Sequence, residues 1–151
     1  DPAGQRGDGL GRLGVVQLDA GKTTTVHKLA GPAAITAIRI KNMNQVKDRA
    51  EEMAAMRRVV LKITFDGQAK PSVWCPLGDF FGTAPGINPY RSLPMGMSED
   101  EFYSHWYMPF ASDAKIEVIN DGASERALDV TLVRAPLTRP LKAQRMPFWS
   151  T

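Results

Sequence analysis

The feature that most constrains this chain is its punctuation: short runs rich in β-branched residues recur between Gly, Pro and Asx-Gly breaks. Val15-Val16-Gln17-Leu18 and Thr23 to Leu29 flank a turn at Asp19-Ala20-Gly21-Lys22. Ile35 to Lys41 alternates so that one face is apolar, as a half-buried strand requires. Val59 to Phe65 is the clearest strand; it closes at Asp66-Gly67, a type I′ hairpin signal, and returns through Ser72 to Cys75 until Pro76 stops it. Lys115 to Asn120 and Ala127 to Arg134 flank Asp121-Gly122 and read as a second hairpin. Ile116, Val118, Leu128, Val130 and Leu132 are expected to face inward.

One stretch differs in kind. Asn42 to Arg58 contains no Gly or Pro, and Val46, Ala50 and Met53 fall at i, i+4 and i+7, which predicts a helix with Glu51 and Glu52 on its solvated side. Seven or eight short strands and one helix describe a mainly β fold, an antiparallel jelly-roll sandwich. Residues 1–14, with five glycines and a proline, read as a flexible arm, residues 15–134 as the jelly-roll domain, and residues 135–151 as an extension.

Composition narrows the function classes. A chain of 151 residues, 43% apolar and 23% charged, can bury roughly 68–70% of its unfolded surface without staples. No window of about 18 uninterrupted apolar residues offers a membrane span. A lone Cys75 removes disulfides and cysteine-rich metal sites, and His27 and His105 are too far apart for a zincin, so neither metal nor cofactor is expected. Cys75 reads as a small buried hydrophobe. The basic residues, 19 against 16 acidic, are scattered and do not alternate with aromatics, which argues against nucleic acid. Gly21-Lys22-Thr23 resembles the end of a phosphate-binding loop, but Val16 stands where the first glycine is needed.

Pro76 to Phe110 is too long and too apolar for a connector. It holds eight aromatic residues with polar groups between them. Aromatic faces can cover the C–H side of a sugar ring while carboxylate, amide and guanidinium groups take up hydroxyls. Trp74, Asp79, Phe80, Phe81, Asn88, Tyr90, Arg91, Ser92, His105 and Trp106 are therefore candidate carbohydrate contacts. The competing reading is a small core or a subunit interface, since both are also rich in aromatics. For Asp79, set between Gly78 and two phenylalanines, the alternatives are contact with a ligand or its neighbours and capping of its own loop. His105 is either a hydroxyl partner or a structural residue. Ser98-Glu99-Asp100-Glu101 resembles a helix N-cap with an acidic first turn.

A resemblance rests on an ordered set of motifs: Phe65-Asp66-Gly67, Pro71-Ser72-Val73, Pro76-Leu77-Gly78-Asp79-Phe80-Phe81-Gly82, Ser92-Leu93-Pro94-Met95-Gly96-Met97, Met108-Pro109-Phe110 and Ile116-Glu117. Over roughly residues 15–134 it is similar to the first half of glycoside hydrolase family 172, formerly domain of unknown function 2961. The resemblance implies a bacterial double jelly roll, of which this chain is the first half, assembled as homotrimers or multiples of them. It also implies action on α-linked furanosides of D-fructose or D-arabinose by a retaining mechanism. Two glutamates about 5–5.5 Å apart would carry that chemistry, one attacking the anomeric carbon and the other serving as acid and then base. The family places both in the second jelly roll, in motifs of the type GEGDE and GTEDYF. Neither string occurs here, so no catalytic residue is assigned, and the chain is read as a jelly roll cut from a longer protein, the alternative being a stand-alone, non-catalytic carbohydrate-binding or assembly module. Whether it acts in the bacterial cytoplasm or after export is left open.

Overall fold

The computed structural model describes residues 11–43, 48–82, 89–98 and 101–137. Asn88 and most of the 1–14 and 135–151 segments lie outside the described residues. Two antiparallel sheets pack face to face. The larger contains β1 (Arg12–Leu18), β11 (Arg126–Pro136), β3 (Ala33–Asn42), β8 (Glu101–Ser104), β7 (Met95–Met97) and β6 (Tyr90–Arg91) in that order, with β9 (Met108–Phe110) also paired to β3. The smaller runs β2 (Thr23–Ala30), β10 (Asp113–Asn120), β4 (Val59–Phe65), β5 (Val73–Pro76). Successive strands cross from sheet to sheet except at the β4–β5 hairpin and among the short β6–β9 strands. With β9 as the seventh strand of the larger sheet, this crossing pattern is that of a jelly roll.

Strand alternation explains the core. On β10, Ile116 and Val118 point inward, and on β11 Leu128, Val130 and Leu132 do the same from the opposite sheet. Ile35, Ile38, Ile40, Leu61 and Ile63 fill the space between, with the buried rings of Phe102 and Phe110 toward opposite ends of β3, where they pair with Ile40 and Ala33.

The inward residues are those predicted, but their strands are not a hairpin. β10 and β11 belong to different sheets, so Asp121-Gly122 turns a corner between layers. The device responsible is Asn120, which is 1% exposed. Its amide nitrogen donates to the Leu18 carbonyl at 2.9 Å and the Ser124 carbonyl at 2.8 Å, and its side-chain oxygen accepts from the Gly122 N–H at 3.1 Å. Its own backbone accepts from Gly21 and donates to Lys22. Two neighbouring corners, β1–β2 and β10–β11, are thus fastened to each other, which a dipeptide turn signal cannot reveal.

The Asp66-Gly67 turn is as expected. Both residues have positive φ, 54° and 62°, and the Gln68 N–H closes the turn on the Phe65 carbonyl. Asp66 does more than turn the chain. Its carboxylate accepts from the backbone N–H groups of Ala111, Ser112 and Asp113 and from the Ser112 hydroxyl, locking the β9–β10 connection to the hairpin. Burial works to raise its pKa, yet these donors outweigh it and hold the carboxyl below the ordinary aspartate value.

The helix is shorter than its pattern. Asn42 still belongs to β3, and α1 covers Arg49–Arg58, with the Asp48 side chain accepting from the Ala50 N–H at 2.9 Å as its N-cap. The expected apolar stripe is not the buried row: Ala50 is exposed and Met53 half-buried, while Glu52 and Met56 face the sandwich. Glu52 therefore does not lie on a solvated side. Its carboxylate accepts from Asn42 Nδ2 at 2.8 Å and stands 3.6 Å from an Arg126 terminal nitrogen, so the buried acid has an amide donor and a buried counter-charge, while Arg126 Nε finds no hydrogen-bond partner among the described residues.

Three further boundaries move. β1 begins at Arg12, inside the predicted arm. Leu77–Phe80 forms a second, one-turn helix, α2. Much of the predicted aromatic loop is strand, and Ser98 caps a turn into β8 rather than a helix, its hydroxyl accepting from the Glu101 N–H at 3.1 Å.

Candidate functional site: a cleft on the outer face of the larger sheet

In-register pairing places Thr131 (β11), Arg39 (β3), Tyr103 (β8), Gly96 (β7) and Arg91 (β6) in one row across five strands. Their sequence neighbours Ile38, Ile40, Phe102, Ser104 and Met97 are buried, so the row lies on the outer face. Over it opens a cleft of ≈ 880 Å³. Arg39 and Tyr103 form its floor, Pro89 to Leu93 one wall, and Met97, Ser98, Glu101 and His105 the remainder. That volume falls within the range of small-molecule sites.

Two glycines of the quoted motifs shape this cleft. A Cβ on Gly96 would collide with Cε1, Cζ and the hydroxyl of Tyr103, so the ring crosses over the bare backbone of β7 and its hydroxyl donates to the Ser92 carbonyl at 2.9 Å. Gly82 has φ +85°, and a side chain there would strike the Tyr90 hydroxyl, which instead donates to the Phe81 carbonyl. The Ser92–Met95 turn is tied by the Ser92 N–H to the Met95 carbonyl at 3.0 Å and by the Met95 N–H to the Ser92 Oγ at 3.2 Å. The His105 N–H then donates to the Pro94 carbonyl at 2.6 Å. Both tyrosines are thereby fixed to backbone, with few rotamers left to lose on binding.

The electrostatics are local. Burial, with the phenol of Tyr103 adding to it, raises the Tyr90 pKa. Burial and the Arg39 charge lower that of His105, against a hydrogen bond to the Leu93 backbone, a net shift that favours the neutral imidazole. Its ring lies 5.2 Å from that of Tyr103.

Of the predicted contacts, Tyr90, Arg91, Ser92 and His105 come together here. Others are elsewhere. Phe81 is fully buried, edge-on to Phe80 at 5.0 Å and tilted against Phe102 at 5.6 Å, so it closes the core and cannot face a ligand. Phe80 packs partly against the same core. Asp79 is exposed on α2 and is no cleft wall; its charge acts on Cys75, whose half-buried thiol is raised first by burial and then by that carboxylate. Trp74 is 65% exposed on β5, on the outer face of the other sheet, with Lys62 Nζ 5.5 Å over its ring. Trp106 and Tyr107 are exposed just beyond His105. Arg39 and Tyr103 escaped the sequence reading. Arg39 is the polar member of an apolar-polar-apolar alternation, Ile38-Arg39-Ile40, which marks an outward position, whereas Phe102-Tyr103-Ser104 carries no such pattern, and neither stretch says that the two residues meet.

The profile of the GH172 domain-like family matches residues 12–132. The chain belongs to this family. No curated protein matches it. The match spans both sheets, every motif quoted above and all of the described cleft, so this jelly roll is a glycoside hydrolase-related domain. Among the described residues no three His, Cys, Asp or Glu side chains gather as a metal site, and no helix is long and apolar enough to cross a membrane.

Proposed function

We propose that this domain forms part of the substrate site of a retaining hydrolase acting on α-linked furanosides of D-fructose or D-arabinose. The cleft on its larger sheet holds the sugar, and the catalytic acids come from outside the matched region. The observation that carries this reading is Tyr103 held over Gly96 on the cleft floor, in a family of glycoside hydrolase relatives. A fixed aromatic face ringed by guanidinium, hydroxyl and imidazole groups accepts one side of a sugar ring and bonds its edges. Tyr90, Arg91, Ser92 and His105 supply contacts with Arg39 and Tyr103. Among the described residues Glu101 is the one carboxylate on the lining, whereas a retaining mechanism needs two about 5–5.5 Å apart. The second jelly roll of the family is the proposed source of that pair. Leu93, 93% exposed at the rim, and the neighbouring Trp106 and Tyr107 suit a homotrimeric contact that would bring further walls to the cleft.

The same count of carboxylates favours one other reading, a carbohydrate-binding or assembly module without chemistry of its own. Titrating the full-length protein with α-fructofuranosides and α-D-arabinofuranosides separates them. Turnover supports the hydrolase, binding without turnover the module, and neither binding nor turnover overturns the sugar site.

A further inference from the structure

Arg39 is half-buried on the cleft floor, and among the described residues no carboxylate pairs with it. Other cations of the same sheet are differently placed. Arg12 forks onto Asp129, with Nε 3.0 Å and a terminal nitrogen 2.8 Å from the carboxylate, and Arg126 stands by Glu52. Glu101, the carboxylate on the lining, lies opposite Lys41 in the β3–β8 register, two residues along from Arg39 and Tyr103. A neutral ring laid on Tyr103 would strip water from the guanidinium and return little, since a desolvated charge is costly unless an opposite charge meets it. An oxyanion returns that cost through two parallel N–H···O bonds, the geometry for which guanidinium is suited. Arg91, exposed at the end of the same row, adds a second cation at the rim.

Resting on the sugar-site reading above, we propose that the cleft takes a sugar bearing an anionic oxygen group, carboxylate or phosphate, with Arg39 as the anion's partner and Tyr103 under the ring. The lowering of the His105 pKa by burial and by Arg39 agrees with this arrangement, because an imidazolium beside Arg39 would lack a counter-charge until the anion arrives.

The test titrates the whole chain with D-arabinose, D-arabinose 5-phosphate, D-galacturonate and inorganic phosphate, by calorimetry and by the C–H resonances of His105, one of two histidines in the chain. At least one acidic sugar is expected to bind about tenfold or more tightly than D-arabinose, with affinity falling as salt rises. The arabinose phosphate and the galacturonate tell the two anions apart. Arg39→Gln should remove most of the difference and Arg39→Lys should retain part, both with unchanged circular dichroism and thermal midpoint. Equal binding of neutral and acidic sugars overturns the anion inference and leaves the sugar site standing. Inorganic phosphate binding as tightly as the acidic sugars, or Arg39→Gln leaving their preference intact, also overturns it. If none of the probes binds, both readings fall.

Discussion

The two outer faces of the sandwich carry aromatic and cationic side chains in similar supply but different arrangement. On the smaller sheet, Trp74 stands out from β5 with Lys62 beside it, exposed and without walls. On the larger, Tyr103 is laid down on Gly96, pinned through its hydroxyl to Ser92, and enclosed by the β6–β7 hairpin. Composition would rank the tryptophan first, as the larger and more sugar-compatible ring. The cleft belongs to the tyrosine because three short strands extend that sheet, while β5 is the edge strand of the other among the described residues. An aromatic ring becomes a binding platform through what fixes and surrounds it.

The sharpest way to break this comparison is to remove what supports the cleft from below. Phe81→Ala should destabilise by roughly 3–5 kcal/mol in chemical denaturation, because a fully buried ring packed on Phe80 and Phe102 leaves a cavity. If Phe81 instead belonged to the cleft wall, stability would hold and ligand binding alone would fall. Asn120→Ala should cost about 1–3 kcal/mol, through the buried carbonyl of Leu18 and the Gly122 N–H left without their partner, and thermal unfolding would register it. It loosens the corners of both sheets and should not discriminate between the two faces.

Gly96→Ala isolates the platform. The added methyl must displace Tyr103, at an overpacking cost of about 1–3 kcal/mol, and furanoside binding should fall while the fold persists. Unchanged binding in a folded Gly96→Ala protein would remove Tyr103 from the site. Smaller is the effect of Asp66→Asn. With the native pKa below that of the unfolded chain, Asp66 contributes stability above the ordinary carboxylate range and loses it as pH falls through the native value. The variant should therefore show a flatter stability profile below about pH 4, measured by urea midpoints, with solvent screening keeping the difference modest for an exposed group. Least of all, Trp74→Ala should change stability by less than about 0.5 kcal/mol and leave sugar binding as it was. A loss of binding there would move the site to the opposite face.

How much of this was legible depended on the range of the interaction. The inward residues of β10 and β11 follow from alternation, and Asp66-Gly67 from the need for two positive φ angles; both are local. The β10–β11 partnership was misread because hairpin and corner share one turn signal, and the deciding bonds reach from Asn120 to Leu18, 102 residues away. Glu52 was misplaced for the same reason: its burial is licensed by Asn42 and Arg126, and no helical period announces them. In the candidate site, Tyr90, Arg91, Ser92 and His105 were within reach because they share one aromatic segment. Arg39 was not, lying 64 residues before Tyr103 on a strand whose register sets them side by side.

The chain's own order of residues determined a β sandwich, its buried faces, its principal turns and its family, since alternation, positive-φ glycines and ordered motifs are properties of neighbouring positions. Tertiary structure decided which layer each strand joins, which ring lies open to solvent and which acid is sheltered. Those choices turn on contacts between distant segments, and a backbone carbonyl or a guanidinium has the same sequence signature whether or not a partner reaches it.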